Sequence, residues 1–189
     1  SNVQNYAISD YGDTSKPTFT TISVSSVGKL GIGGPDFWAN AFASSLTLAG
    51  GPYIPEVNAG TLTKNATWGG ISGVSAIRLL GELTIQGAAS PVLTLAPGTV
   101  MRCNDYVGIT VGGYQASLAG SLVANGTAGQ RIRFEKAGTQ KWGTISFHDF
   151  SNDAVCKLNY CDLLDGGYSQ GAIVCQSSSP TLSNLNINN

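Results

Sequence analysis

From about residue 78 onward, short alternating apolar and polar runs follow one another with Gly, Asn, Asp or Pro in nearly every gap. The runs are Leu83–Gln86, Val92–Leu95, Thr99–Cys103, Gly108–Val111, Ser121–Ala124, Ile132–Glu135, Thr144–Phe147, Lys157–Leu164, Ala172–Cys175 and Thr181–Ile187. Alternation over such short stretches, bounded by turn formers, predicts β-strands rather than helices.

The spacing of the runs separates a stacked coil from a sandwich. Leu95-Ala-Pro-Gly-Thr99 is echoed by Val123-Ala-Asn-Gly-Thr127, a step of 28 residues from Gly98 to Gly126. Gly143-Thr-Ile-Ser-Phe147 is echoed by Gly171-Ala-Ile-Val-Cys175, again at 28. Lys157-Leu and Cys161-Asp-Leu163 are echoed by Thr181-Leu and Leu185-Asn-Ile187 at a step of 24. A period of that size holding two or three strands fits a solenoid whose turns stack on one another. A sandwich would place hairpin signals between its strands. The one Asn-Gly, Asn125-Gly126, lies inside the repeated Gly-Thr element and is read as a corner. Stacking pairs Phe147 with Cys175 and Cys161 with Leu185 inward, and Asp162 with Asn186 outward.

Residues 1–75 read as an N-terminal cap and lead-in, and residues 76–189 as the coils. A solenoid leaves apolar ends and unpaired strand edges, so a cap is required. Trp38, Phe42 and Leu46 recur at four-residue spacing after Pro35-Asp36, which predicts a short amphipathic helix with Asp36 near its start. Phe19, Ile22, Val27 and Leu30 fit neither period. The segment 179–189 has a strand pattern with no closing element, and the chain opens at Ser1 without Met; both are read as signs of a piece of a larger protein, truncated at its C-terminus.

Composition narrows the function classes. Lys+Arg number 10 and Asp+Glu 11, charged residues are 11%, and the formal net charge is −1. No concentrated charge of one sign is present, which argues against nucleic acid and polybasic membrane contact. No run reaches the roughly 20 apolar residues of a membrane span, so membrane insertion is not expected. An apolar content of 42% is too high for disorder. Cys103, Cys156, Cys161 and Cys175 show no metal spacing, and His148 is the one histidine. The Cys156–Cys161 spacing is compatible with a disulfide, while the preferred reading makes most of the four reduced, buried thiols.

The run Leu93-Thr-Leu-Ala-Pro-Gly-Thr-Val-Met-Arg-Cys103 is followed by Gly120-Ser-Leu-Val-Ala-Asn-Gly-Thr127, Ile132-Arg-Phe134, Trp142-Gly-Thr-Ile-Ser-Phe147, Leu158-Asn-Tyr-Cys-Asp-Leu163 and Ser179-Pro-Thr-Leu-Ser-Asn184. In that order the elements resemble the secreted right-handed parallel β-helix domains of the pectate-lyase-like superfamily, in particular those of large bacterial surface proteins. Thr61-Leu-Thr-Lys-Asn-Ala-Thr-Trp68 resembles the lead-in before their first coil. The resemblance implies an all-β right-handed parallel β-helix with an irregular or partly helical N-terminal cap. It also implies a secreted or cell-surface location, polysaccharide as a partner, and further domains of the same parent chain.

A glycoside hydrolase needs two carboxyls about 5–9 Å apart, and a lyase needs a base together with Ca²⁺ or Arg against the uronate. The catalytic candidates are His148, Asp149, Asp162 and Asp165, with Asp153 nearby. Their plainer roles are turn formation for the aspartates near corners and solvation for Asp162 and His148. Asn186 stands where a second carboxyl would be needed one coil on from Asp162. Arg102, Arg131 and Arg133 are read as water-facing strand residues. Trp142, Asp162 and Asn186 are the ligand-binding candidates, Trp142 either stacking on a sugar or packing at a corner. No cofactor is expected; Ca²⁺ would need several oxygens converging from different coils, and no motif supplies them. The expectation is therefore a non-catalytic module for carbohydrate or surface binding, or for structural spacing. The alternative is a polysaccharide lyase or glycoside hydrolase acting in a groove along the solenoid.

Overall fold

The computed structural model describes residues 6–10, 21–25, 29–43 and 45–188. Its N-terminal part runs β1 (Tyr6–Ser9), β2 (Thr21–Ser25), β3 (Lys29–Gly33), α1 (Pro35–Ala43), β4 (Ser45–Ala49) and β5 (Glu56–Val57). The rest of the described chain repeats in threes. The first turn is β6 (Gly60–Leu62), β7 (Ala66–Trp68) and β8 (Ile77–Leu79); the second is β9 (Leu83–Ile85), β10 (Val92–Leu95) and β11 (Val100–Cys103). Then come β12 (Ile109–Val111), β13 (Ser121–Asn125) and β14 (Ile132–Lys136), followed by β15 (Ile145–Phe147), β16 (Lys157–Asn159) and β17 (Cys161–Leu164). The last turn is β18 (Ile173–Cys175), β19 (Thr181–Ser183) and β20 (Asn186–Asn188).

First, second and third members of these triplets stack into three separate parallel sheets. Sheet 1 is β6-β9-β12-β15-β18 and sheet 2 is β7-β10-β13-β16-β19. Sheet 3, β1-β3-β5-β8-β11-β14-β17-β20, extends back into the N-terminal part, where β2 and β4 pair separately. The protein is an all-β right-handed parallel β-helix with one short helix, the hand that parallel crossovers take almost without exception.

Stacking sorts the side chains. Inward columns run Leu62–Ile85–Val111–Phe147–Cys175 in sheet 1, Trp68–Leu95–Ala124–Leu158–Leu182 in sheet 2, and Ile77–Met101–Phe134–Leu163–Ile187 in sheet 3. All members before the last turn are buried. Each such apolar side chain contributes about 1.5–3 kcal/mol on burial. The expected pairs Phe147–Cys175 and Asp162–Asn186 are in register. In the last described turn Leu182 is 42% and Ile187 52% exposed, because nothing among the described residues stacks on them.

Within the coils, two details differ from the sequence reading. The step between β10 and β13 is 29 residues, with Thr94 opposite Val123 and Leu95 opposite Ala124, instead of the 28 that the Gly-Thr echo suggests. Period 2 explains why the echo misleads: at 28, the outward Val123 would fall on the core-facing Leu95. Second, the runs 157–164 and 181–187 are each broken into two strands on different sheets. Tyr160 (φ 49°) and Asn184 (φ 50°) turn the chain in the left-handed region. Asn tolerates that conformation; Tyr does so less readily, and its ring lies 5.8 Å from the Arg131 guanidinium.

The helix α1 abuts β6 and β7, the first strands of sheets 1 and 2. Within it Phe37, Trp38, Ala39 and Ala41 are buried, and Trp38 Nε1 donates 2.8 Å to the Glu56 carbonyl. Phe42 stacks on Trp38 at 5.1 Å and meets Trp68 edge-on at 6.3 Å. Asp36, in the first turn, accepts from Thr63 N at 2.9 Å and Thr63 Oγ1 at 2.6 Å, and so pins the helix to the corner after β6. Leu46 belongs to β4, not to the helix, and Ile22 and Leu30 lie in β2 and β3. Phe19 and Val27 lie outside the described residues.

Candidate functional site

A solenoid of this kind presents three outward faces, and their chemistry differs. On sheet 1 the outward column is Thr61–Thr84–Thr110–Ser146–Val174, four hydroxyls in line followed by a valine. Neighbours in such a column sit about 4.8 Å apart, and a three-residue strand spans roughly 10 Å, so this floor is narrow and regular. Thr110 Oγ1 donates 2.8 Å to Glu82 Oε1.

Aromatic residues stand on both edges of the floor. Tyr106, in the corner that leads into β12, and Tyr168, in the corner that leads into β18, are 53% and 56% exposed. Their rings meet edge-on at 4.2 Å. On the opposite edge, Tyr114 follows β12 and His148 follows β15; their rings stack at 4.5 Å with 26° between planes. Tyr114 is 67% exposed, and its hydroxyl donates to Gln176 Oε1. Burial pushes the His148 pKa below its usual 6.5, against a smaller opposing pull from Glu82, so at pH 7 the ring is neutral. A groove of about 450 Å³ lies here, lined by Thr84, Gln86, Thr110, Tyr114, Gln115 and His148. Hydroxyls and amides beside exposed rings can hydrogen-bond a polar ligand and cover its apolar face at once.

The residues singled out from sequence do not gather into one site, although Asp162 and Asn186 meet as expected. Asp149 is exposed beside His148, in the corner between sheets 1 and 2. Asp162 projects from β17 on sheet 3, where its Oδ1 accepts from Arg131 Nε at 2.6 Å and Asn186 Nδ2 at 2.8 Å. Asp165 sits in the next corner with φ 57°, its carboxylate 3.3 Å from Lys136 Nζ. His148 and Asp149 thus lie on a different face from Asp162, Asp165 and Asn186. Trp142 is fully buried, donating 2.8 Å from Nε1 to the Leu164 carbonyl with its ring 6.3 Å from that of Phe134; no ring face is open to a ligand. Packing at the corner wins because the indole N–H finds its acceptor there.

Carboxylates do approach one another on sheet 3. Glu135 and Asp162 are diagonal neighbours, since Arg133 is opposite Asp162, which puts them roughly 7–8 Å apart. Both are engaged: Arg102 Nε donates 2.7 Å to Glu135 Oε1, Arg133 lies 3.7 Å from Glu135 Oε2, and Arg131 holds Asp162. Such pairing ties the acids to structural roles. No group of three or more His, Cys, Asp or Glu among the described residues is arranged to hold a metal ion. The four cysteines are free, with Cys103, Cys156 and Cys161 buried and Cys175 exposed. Burial pushes the Cys103 and Cys161 thiols up to about 12, so neither is a nucleophile near neutrality.

Sequence reasoning missed Tyr106, Tyr114 and Tyr168. Each sits beside a turn former, in Asp105-Tyr106, Gly113-Tyr114 and Gly167-Tyr168, so a large ring in a polar corner was the available signal. No family model, curated protein or solved structure matches this chain.

Proposed function

We propose that this chain is a non-catalytic β-helix module of a larger secreted or cell-surface protein, of the pectate-lyase-like kind, and that it binds carbohydrate along sheet 1. The observation that carries the reading is the line of Thr84, Thr110 and Ser146 bordered by Tyr106 and Tyr168 on one edge and by Tyr114 and His148 on the other. Sugar rings offer apolar C–H faces to aromatic rings and hydroxyls to threonine, serine and glutamine, and this face supplies both partners in register. A neutral His148 suits an uncharged polymer, and the floor column Thr61–Thr84–Thr110–Ser146–Val174 contains no basic side chain to meet a uronate.

A lyase or hydrolase is the second reading. The diagonal pair Glu135 and Asp162 favours it by spacing alone. The guanidinium contacts on both acids weigh against it, as does their position on a different face from the tyrosines. Affinity electrophoresis against a panel of plant and microbial polysaccharides, run with assays for reducing ends and unsaturated products, separates the possibilities. The expected result is binding without turnover, weakened about tenfold or more by Tyr114→Ala, a loss of about 1.4 kcal/mol or more. Turnover on any polymer would establish the enzyme reading. Absence of both binding and turnover would leave structural spacing as the role.

A further inference from the structure

We propose that the outward face of sheet 3 carries a second binding site, selective for a small amphipathic monocarboxylate. All four arginines of the chain, Arg78, Arg102, Arg131 and Arg133, gather on this sheet or in the corner leading into β14. One outward column reads Glu56–Arg78–Arg102–Glu135 across β5, β8, β11 and β14. Its centre places two guanidinium side chains on directly opposed positions, about 4.8 Å apart at the backbone. Like charges opposite one another are ordinarily destabilising in a sheet.

The arrangement is braced from its two ends and left open in the middle. Arg78 Nε donates 2.9 Å to Asn104 Oδ1, and its Nη1 lies 3.6 Å from Glu56 Oε1. Arg102 donates through Nε alone, 2.7 Å to Glu135 Oε1. A guanidinium has five N–H donors, so the terminal nitrogens of Arg102, whose side chain is 43% exposed, keep a free fork. Arg133 also draws on Glu135, at 3.7 Å. Among the described residues of this cluster, three arginines face two glutamates, an excess of one positive charge. Lys136 is neutralised separately by Asp165.

A groove of about 420 Å³ opens over this column, with Pro52, Ile54 and Ala137 contributing apolar lining beside Arg78 and Arg102. A carboxylate matches the planar fork of an arginine and carries the single negative charge the cluster lacks. Its hydrocarbon portion would leave water against Pro52 and Ile54. Glu56 and Glu135 at the flanks repel a dianion, which sets an organic monoacid apart from phosphate. This face is separate from the tyrosine-bordered floor of sheet 1, so the two sites stand or fall independently.

Isothermal titration of the chain with octanoate, octanamide and inorganic phosphate tests the assignment. Saturable one-to-one binding of octanoate is expected, with octanamide and phosphate weaker by about tenfold or more. Arg102→Gln and Arg78→Gln, each checked for an unchanged melting transition, should each weaken octanoate by about tenfold. Lys157→Gln, which removes one positive charge from sheet 2, should leave binding unchanged. Absence of saturable octanoate binding overturns the proposal. So does equal binding of octanamide or phosphate, or an equal loss in Lys157→Gln.

Discussion

Cys103 and Cys161 show what an inward position does to chemistry. Both thiols are buried, Cys103 in register with Leu79 and Cys161 with Ile132, and burial raises each from the ordinary 9.0 to about 12; Glu82 adds to the rise at Cys103, and the Asn159 backbone and Arg131 oppose it at Cys161. The unfolded chain therefore loses these protons above pH 9 while the folded protein retains them, so stability falls as pH climbs from 9 towards 12. The slope approaches about 1.4 kcal/mol per pH unit per thiol. Urea titrations across that window should show the decline, and it should shrink in Cys103→Ala. Thiol labelling at neutral pH gives a second check: Cys175, the exposed member, should react in the native protein, and the other three only after denaturation. Mass spectrometry that finds Cys103 or Cys161 labelled under native conditions would contradict the inward assignment. For Cys161 and Cys175 the sequence pointed to apolar places, because Leu185 and Phe147 stand at equivalent positions one turn away. It did not show that Cys175 is exposed. That depends on what stacks beyond it, which no local pattern encodes.

At the scale of elements, α1 and the corners decide how the turns begin and bend. Trp38, on the buried side of the helix, is bonded to the Glu56 carbonyl and stacked with Phe42, and the helix lies against the first strands of sheets 1 and 2. Trp38→Ala should cost about 3–5 kcal/mol, read as a lower urea midpoint; a loss below about 1 kcal/mol would mean that the helix does not close this end. Pro35, Asp36 and the four-residue aromatic spacing made the helix start legible. Its end was not, because Leu46 continues the spacing while the chain has already turned into β4. Corners were harder still. Lys157–Leu164 reads as one strand, yet Tyr160 takes a positive φ and sends the chain onto another sheet. The one mark it leaves is a slip of phase, with Leu158 and Cys161 both inward at a spacing of three. Gly120 marks a different constraint, since a Cβ there would stand 2.0 Å from the Ile85 carbonyl oxygen of the turn below.

On the scale of the whole molecule, the repeat was legible because every turn must bury the same columns, and its length varied because corners differ in size. Between sheets 2 and 3 the connection shrinks from Gly69–Ala76 in the first turn to Tyr160 alone in the fourth. That variation hid the Thr94–Val123 register and made Gly98–Gly126 look equivalent. The candidate sites were less legible than the fold. Tyr106 and Tyr168 are far apart in sequence and meet only because the solenoid lays their corners along one edge. Likewise, Glu56, Arg78, Arg102 and Glu135 form a column at unequal spacings that no motif captures.

Both faces depend on outward side chains of successive turns standing directly over one another. Pairing Thr84→Cys with Thr110→Cys tests this, because the two threonines are register partners on β9 and β12 at the floor of sheet 1. Adjacent parallel strands bring their Cα atoms within the 4.4–6.8 Å that a disulfide spans. Mild oxidation followed by peptide mapping should recover one cross-link joining these two positions. No cross-link should form when Thr84→Cys is combined instead with Ile109→Cys, whose side chain points inward. Failure of positions 84 and 110 to join, or an equally efficient cross-link from position 84 to 109, would contradict the stacked arrangement on which both binding faces rest.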